Sequence, residues 1–135
     1  MKRKERSREL FTVSLLWRKM KRIETDEILA ESSMIVIEDF VFVGCCIGSE
    51  GKDVVSQMEA AFDELERRLK KVDLGLGQVV KMDCLFKDIN DLNLLPEVIK
   101  KKFGNKYPVR KAYETKFIRE GILFQVDAIA YHGNF

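Results

Sequence analysis

Between residues 53 and 72 the chain reads DVVSQMEAAFDELERRLKKV, and its apolar residues recur at three- and four-residue steps. Val54, Met58, Ala61, Phe62, Leu65, Leu69 and Val72 therefore fall on one stripe of a helix, with charge over the rest of its surface. Asp53 suits the N-cap, Lys70 and Lys71 suit the C-terminal end of the dipole, and DLGLG ends the element. A helix with a single apolar stripe must lay it on a partner. The rest of the chain supplies strands to receive it.

KRIET (21–25), SMIVI (33–37) and FVFVGCCI (40–47) are short and rich in β-branched and aromatic residues, as strands are. Glu38-Asp39 fits a tight hairpin turn between the last two, and GSEG (48–51) reads as a loop. VVKMDCLFKD (79–88) alternates, which predicts Val80, Met82, Cys84 and Phe86 on a buried face and Lys81, Asp83, Leu85 and Lys87 opposite. INDLNLLPEVIKKKF (89–103) predicts a shorter helix with Leu95, Val98, Ile99 and Phe103 inward and Pro96 in an early position. VRKAYETKFI (109–118) and ILFQVDAIAY (122–131) predict two final strands joined at Arg119-Glu120-Gly121.

The order is β-β-β-α-β-α-β-β, with both helices able to lie on one face of a mixed six-stranded sheet. That is a two-layer α+β sandwich. The last strand is apolar on both sides: Ile122, Phe124, Val126, Ala128 and Ala130 on one, Leu123, Ile129 and Tyr131 on the other. Half-buried strands usually keep one polar face, so the pattern predicts a homo-oligomer that covers the helix-free face.

At 135 residues the chain suits a single domain, and 46% hydrophobic with 34% charged residues is a globular composition. The net charge of +2 hides an asymmetry. Residues 1–22 hold nine Lys/Arg against two Glu, or +7, while the remainder holds 15 against 20, or −5. The acidic body argues against a nucleic-acid surface, which needs clustered cations. No apolar run is long enough to cross a bilayer. Three cysteines, Cys45, Cys46 and Cys84, form no metal spacing with the single His132, and read as buried thiols of a reducing cytoplasm.

Residues 1–19 form a basic extension ahead of a domain spanning 20–135. Its apolar stretch LFTVSLLW is short, lacks a small-residue cleavage site and runs into Arg18 and Lys19, which rejects a secretory reading. Three accounts stand: translation begins at Met20, the extension binds a partner or anionic surface, or Phe11, Leu15, Leu16 and Trp17 dock on the body.

For chemistry, Arg110 comes first. A guanidinium keeps its charge and offers a planar fork that matches a carboxylate, and Pro108 makes the approach to the strand rigid. The alternative is a solvated strand-end cation paired with an acid. Gln125, an amide inside an apolar strand, is either satisfied by a neighbour or faces a cleft. Glu31 is a loop carboxylate or a cleft acid. His132 reads as an exposed strand-end residue. There is no glycine-rich phosphate loop, nucleophile elbow or paired-carboxylate signature.

Five segments then occur in order: FVFVGCCIG, VVSQMEAAFDELERRL, VVKMDCLFKDINDL, YPVRKA and GILFQVDAIAY. Together they resemble the YjgF/Rid family of reactive-intermediate deaminases, also called endoribonuclease L-PSP or translation inhibitor proteins, over roughly residues 20–132. The resemblance implies a chorismate-mutase-like fold and homotrimers whose sheets meet in a central barrel, with clefts between subunits. It implies that an arginine, here Arg110, binds the carboxylate of a 2-imino or 2-enamino acid. Water then hydrolyses the imine to a 2-keto acid and ammonia, with no metal or organic cofactor.

The same resemblance places this chain's departures. Gln125 stands where active members carry a glutamate that positions the water. Glu31 falls near a pocket tyrosine, Gly44 at a serine with Cys45 following, Ala112 at a cysteine and Pro96 at a helix asparagine. Two loops that shape the cleft, GSEG and GNKYP, are shorter. The resemblance therefore implies either a deaminase of small 2-imino acids or a catalytically degenerate homotrimer that binds a small carboxylate metabolite. An RNA-cleaving reading would depend on the basic extension.

Overall fold

The computed structural model describes residues 20–133. The expectations for residues 1–19 lie outside the described residues.

The apolar stripe forms helix α1 (Val54–Lys70). Asp53 caps it, its carboxylate accepting from the Ser56 amide at 2.7 Å. Met58, Ala61, Phe62, Leu65 and Leu69 are fully buried. They pack on a sheet of β1 (Met20–Asp26), β2 (Glu31–Ile37), β3 (Phe40–Cys46), β4 (Val79–Phe86), β5 (Val109–Glu114) and β6 (Phe124–Tyr131). The strand order is β1-β2-β3-β6-β4-β5. All neighbours are antiparallel except β4 and β5. A parallel pair needs a crossover. Here it is helix α2 (Leu95–Phe103), preceded by a short 3-10 segment over Ile89–Leu94.

Both helices cover one face. On β6, Phe124, Val126, Ala128 and Ala130 point under α1, and the Phe62 ring meets Phe124 at 5.8 Å and Phe103 of α2 at 5.3 Å. Gln125, Asp127, Ile129 and Tyr131 point to the uncovered face, where Phe42, Ile37 and Phe40 are also exposed. The sandwich therefore matches the expected α+β class.

Several local expectations change. The predicted helix over 89–103 divides into the 3-10 segment and α2, with Pro96, which lacks an amide proton, in the first turn of α2. The last strands are shorter than 109–118 and 122–131, ending at Glu114 and beginning at Phe124. Val80 is exposed and Val79 buried, the reverse of simple alternation. A register shift between Val79 and Lys81 against β6 resets the facing there. Cys46 and Cys84 are buried as expected, but Cys45 is exposed.

One buried polar residue escaped the periodicity argument. Gln57 is 2% exposed on the inner side of α1. Its amide group donates to the carbonyls of Lys52 and Gly121, both at 2.9 Å, and its oxygen accepts from the Leu123 amide at 2.8 Å. The start of α1 is thereby tied to the segment that leads into β6. A Gln57→Met variant keeps the volume and abandons all three bonds, so it should lose about 2–3 kcal/mol of stability in urea denaturation. A loss under 0.5 kcal/mol would show that this clamp contributes little.

Candidate functional site

Arg110 is the second residue of β5, an edge strand. Its register partner across the parallel pair is Met82, which is buried under the helices. Residues paired across a ladder share a face. The Arg110 side chain therefore leaves the sheet on the helix side, beside α2. There it lines a cleft of about 230 Å³ with Met82, Pro96, Ile99, Lys100, Tyr107 and Pro108. Among the described residues no hydrogen bond or ion pair engages its guanidinium. It is near enough to act on Cys84, where burial pushes the thiol up to about 12 against the pull of this cation. Ala112, two residues on, shares the same face. It is half-buried against the core, with Cys84 as its register partner.

Glu31, Gly44 and Cys45 come together elsewhere. They line a separate hollow of about 210 Å³ at the joint of β2, β3 and the C-terminal part of α1. The register of β3 against β6 shifts between Val43 and Cys46, so Gly44 and Cys45 form an irregular step in the strand. Such a step leaves carbonyls without ladder partners, and Arg68 of α1 takes them. Its guanidinium donates to the carbonyls of Gly44 at 3.3 Å, Ser33 at 3.4 Å and Cys45 at 3.1 Å. Its Nε donates to Glu64 at 2.7 Å. Hydrogen bonds from Arg67 and Arg68 hold the Glu64 carboxyl down to about 2, against a partly opposing effect of burial.

At Cys45, burial first and the Glu31 carboxylate second raise the thiol above its ordinary value, while Arg68 acts in the opposite sense. The thiol is therefore a poor thiolate source at neutral pH. A Cβ added to Gly44 would lie 3.5 Å from the carbonyls of Ser32 and Ser33, an ordinary contact, so the backbone there does not demand glycine. Sequence reasoning missed Arg68. The signal available was its i,i+4 spacing from Glu64, beside the stripe residues Leu65 and Leu69.

Gln125 belongs to neither group. It faces the uncovered side of the sheet, opposite Leu85. Arg110 and the Gly44–Cys45 step are separated by β6 and β4, roughly 14 Å at three strand spacings. One chain therefore carries two separate groups of these residues, one on the edge strand β5 and one at the joint of β2 and β3. His132 is exposed just after β6. Among the described residues no group of three or more His, Cys, Asp or Glu side chains could hold a metal. No described helix is long and apolar enough to cross a membrane.

The uncovered face holds one electrostatic conflict. Asp83 of β4 and Asp127 of β6 are direct cross-strand partners. They line a hollow of about 340 Å³ with Lys81, Gly44 and Phe42. Asp83 Oδ1 is buried without a hydrogen-bond partner. Burial and then the Asp83 charge raise the Asp127 carboxyl above its ordinary value of 3.8, while a backbone hydrogen bond at Asp127 and then Lys81 oppose them.

The chain matches the endoribonuclease L-PSP family over residues 27–132. It is 29% identical over 108 residues to a RutC family protein of Drosophila melanogaster, covering 74% of this chain and 78% of that one. It is 25% identical over 109 residues to the human 2-iminobutanoate/2-iminopropanoate deaminase, covering 76% of this chain and 80% of that one. Among solved structures, a Streptococcus pyogenes member of the yjgF family superposes with a TM-score of 0.81 at 38% identity, covering 85% of this chain and 98% of that one. The chain belongs to the YjgF/Rid family, the endoribonuclease L-PSP proteins.

The carboxylate pair gives a pH test with a defined sign. A raised carboxyl binds its proton more tightly in the folded chain, so its stabilising share is present at acid pH and is lost as pH rises past 3.8. Asp127→Asn removes the repulsion. It should raise the thermal midpoint at pH 7 by about 1–4 °C and flatten the fall in stability between acid and neutral pH. An unchanged midpoint at pH 7 would mean that the two carboxylates do not oppose each other.

Proposed function

We propose that this protein is a Rid-type deaminase that hydrolyses small 2-imino acids to 2-keto acids and ammonia, acting as a homotrimer. The observation that carries the reading is the Arg110 guanidinium, charged and, among the described residues, without an acid partner, lining a cleft with mostly apolar walls. A free cationic fork of this kind binds a carboxylate through two parallel charge-assisted hydrogen bonds, worth about 1.5–3 kcal/mol. Family membership and the named deaminase relative support the reaction class.

In this reading Arg110 anchors the carboxylate and thereby fixes the adjacent C=N carbon. Water adds to that carbon, the tetrahedral adduct loses ammonia, and the keto acid remains. The protonated imine is already electrophilic, so the protein's task is placement and water supply rather than strong base catalysis. Gln125 is the residue assigned to hold the water. Its amide accepts and donates hydrogen bonds but takes no proton. It lies on the uncovered face, away from the Arg110 cleft of its own chain, so in this reading a second copy supplies it. Glu31, Gly44 and Cys45 are assigned to the substrate site of the assembled protein on the same argument, with Ala112 as the small residue beside Arg110.

Ammonia release from an imine generated in situ by an amino-acid oxidase tests this. The wild-type rate should exceed buffer, and Arg110→Ala should lower kcat/KM about 100-fold or more. A wild-type rate equal to buffer and to Arg110→Ala would remove the deaminase. Because a carboxylate can take up the proton that an amide cannot, Gln125→Glu should raise kcat by about tenfold or more. No gain would detach Gln125 from the water.

The second reading is a degenerate homotrimer that binds a small carboxylate metabolite without turning it over. Gln125 and Pro96, each replacing a more capable group expected from the family, favour it. Stabilisation by 2-keto acids in a thermal shift, together with buffer-level ammonia release, would select it.

A further inference from the structure

The end of α2 carries three consecutive lysines, Lys100, Lys101 and Lys102. Successive helix residues point about 100° apart, so the three cannot share a role. Lys101 reaches across to Glu59 of α1 at 3.3 Å, and Lys102 reaches Asp63 of α1. These two pin α2 to its neighbour. Lys100 lies on the other side of the helix and lines the cleft that holds Arg110. Its one ion pair is with Glu97 at 3.9 Å, a helix neighbour outside the cleft, and both side chains are largely exposed. That separation is too long for a hydrogen bond.

Among the described residues the cleft is thus lined by two cations and no acid. Its other walls, Met82, Pro96, Ile99, Tyr107 and Pro108, are uncharged. Both cations are largely exposed and line one cleft, and a monocarboxylate answers only one of them. The face of α2 toward the cleft is built from Pro96, Ile99 and Lys100, the i, i+3 and i+4 positions of one helical stripe. Pro96 offers no side-chain hydrogen bond, so Lys100, one turn later, is the polar group this helix presents. At about 230 Å³ the space is below the range of drug-sized pockets, which begins near 300 Å³, and suits a short-chain metabolite.

We propose that the Arg110–Lys100 cleft selects short 2-imino or 2-keto acids that carry a second carboxylate, with Lys100 as the specificity-determining residue. The proposal rests on the reading that Arg110 binds the first carboxylate. Lys100 then meets the distal carboxylate at the outer end of the cleft, while the chain between them lies on Pro96 and Ile99. Because Lys100 is partly in solvent, its contribution is a preference rather than an absolute requirement.

The test is calorimetric binding to the full-length protein of 2-oxoglutarate and 2-oxopentanoate, which have the same chain length and differ in the distal carboxylate. The wild type should bind 2-oxoglutarate about fivefold more tightly at low salt. Lys100→Met should remove that preference and leave 2-oxopentanoate within about twofold of wild type. Arg110→Ala should weaken both ligands. Equal binding of the two by the wild type, with both lost in Arg110→Ala, overturns the dicarboxylate proposal and leaves the Arg110 reading standing. A preference that survives Lys100→Met overturns the role of Lys100. Binding of neither ligand to the wild type overturns both the proposal and the reading beneath it.

Discussion

The structure depends on one packing event: the stripe Met58, Phe62, Leu65 and Leu69 of α1 laid across Phe124, Val126 and Ala128 of the central strand β6. Each of these side chains leaves water almost completely, at about 25 cal/mol per Å² of apolar surface. This seats β6 between β3 and β4, so that residues distant in sequence become neighbours. It also uses only one face of the sheet. Both helices lie there, and nothing in the described chain covers the other, with its Phe42, Ile37 and Phe40 and its opposed aspartates. The surplus apolar character of β6 was already visible as a strand hydrophobic on both sides.

The same packing divides the functional residues. Arg110 sits exposed on the edge strand, lining a cleft with α2, where the crossover from β4 brings the helix alongside. The Gly44–Cys45 step sits on the opposite side of β6, its carbonyls gathered by Arg68. Arg68 faces two ways at once. It belongs to the charged flank of α1 through Glu64, and to the sheet through the carbonyls of Ser33 on β2 and of Gly44 and Cys45 at the β3 step. A buried backbone acceptor without a partner is costly, so a single well-placed guanidinium makes that irregularity tolerable.

Much of the fold was legible because periodicity reports burial directly. The stripe of α1, the inner residues Leu95, Val98, Ile99 and Phe103 of α2, and the alternation of β6 all reappear as predicted. The errors have a common cause. Val79 and Val80 exchange faces because a register shift is set by the partner strand and not by local sequence. Cys45 is exposed although it sits in an apolar run, because the step beside Gly44 turns it outward. Gln57 is buried although polar, because its three partners come from segments up to 66 residues away.

For the candidate site, the sequence by itself determined the chemistry: a permanently charged guanidinium after a rigid Pro108, an amide at Gln125, and a small residue at Ala112. Residue type and local backbone restraint are properties of the chain alone. Only the tertiary structure decided direction and company. It turned Arg110 toward α2, set Lys100 beside it while Lys101 and Lys102 went to α1, and put Gln125 on the opposite face. Those outcomes follow from strand order and helix rotation. Both are set by which apolar surfaces meet, a sum over contacts distant in sequence that no short stretch of residues contains.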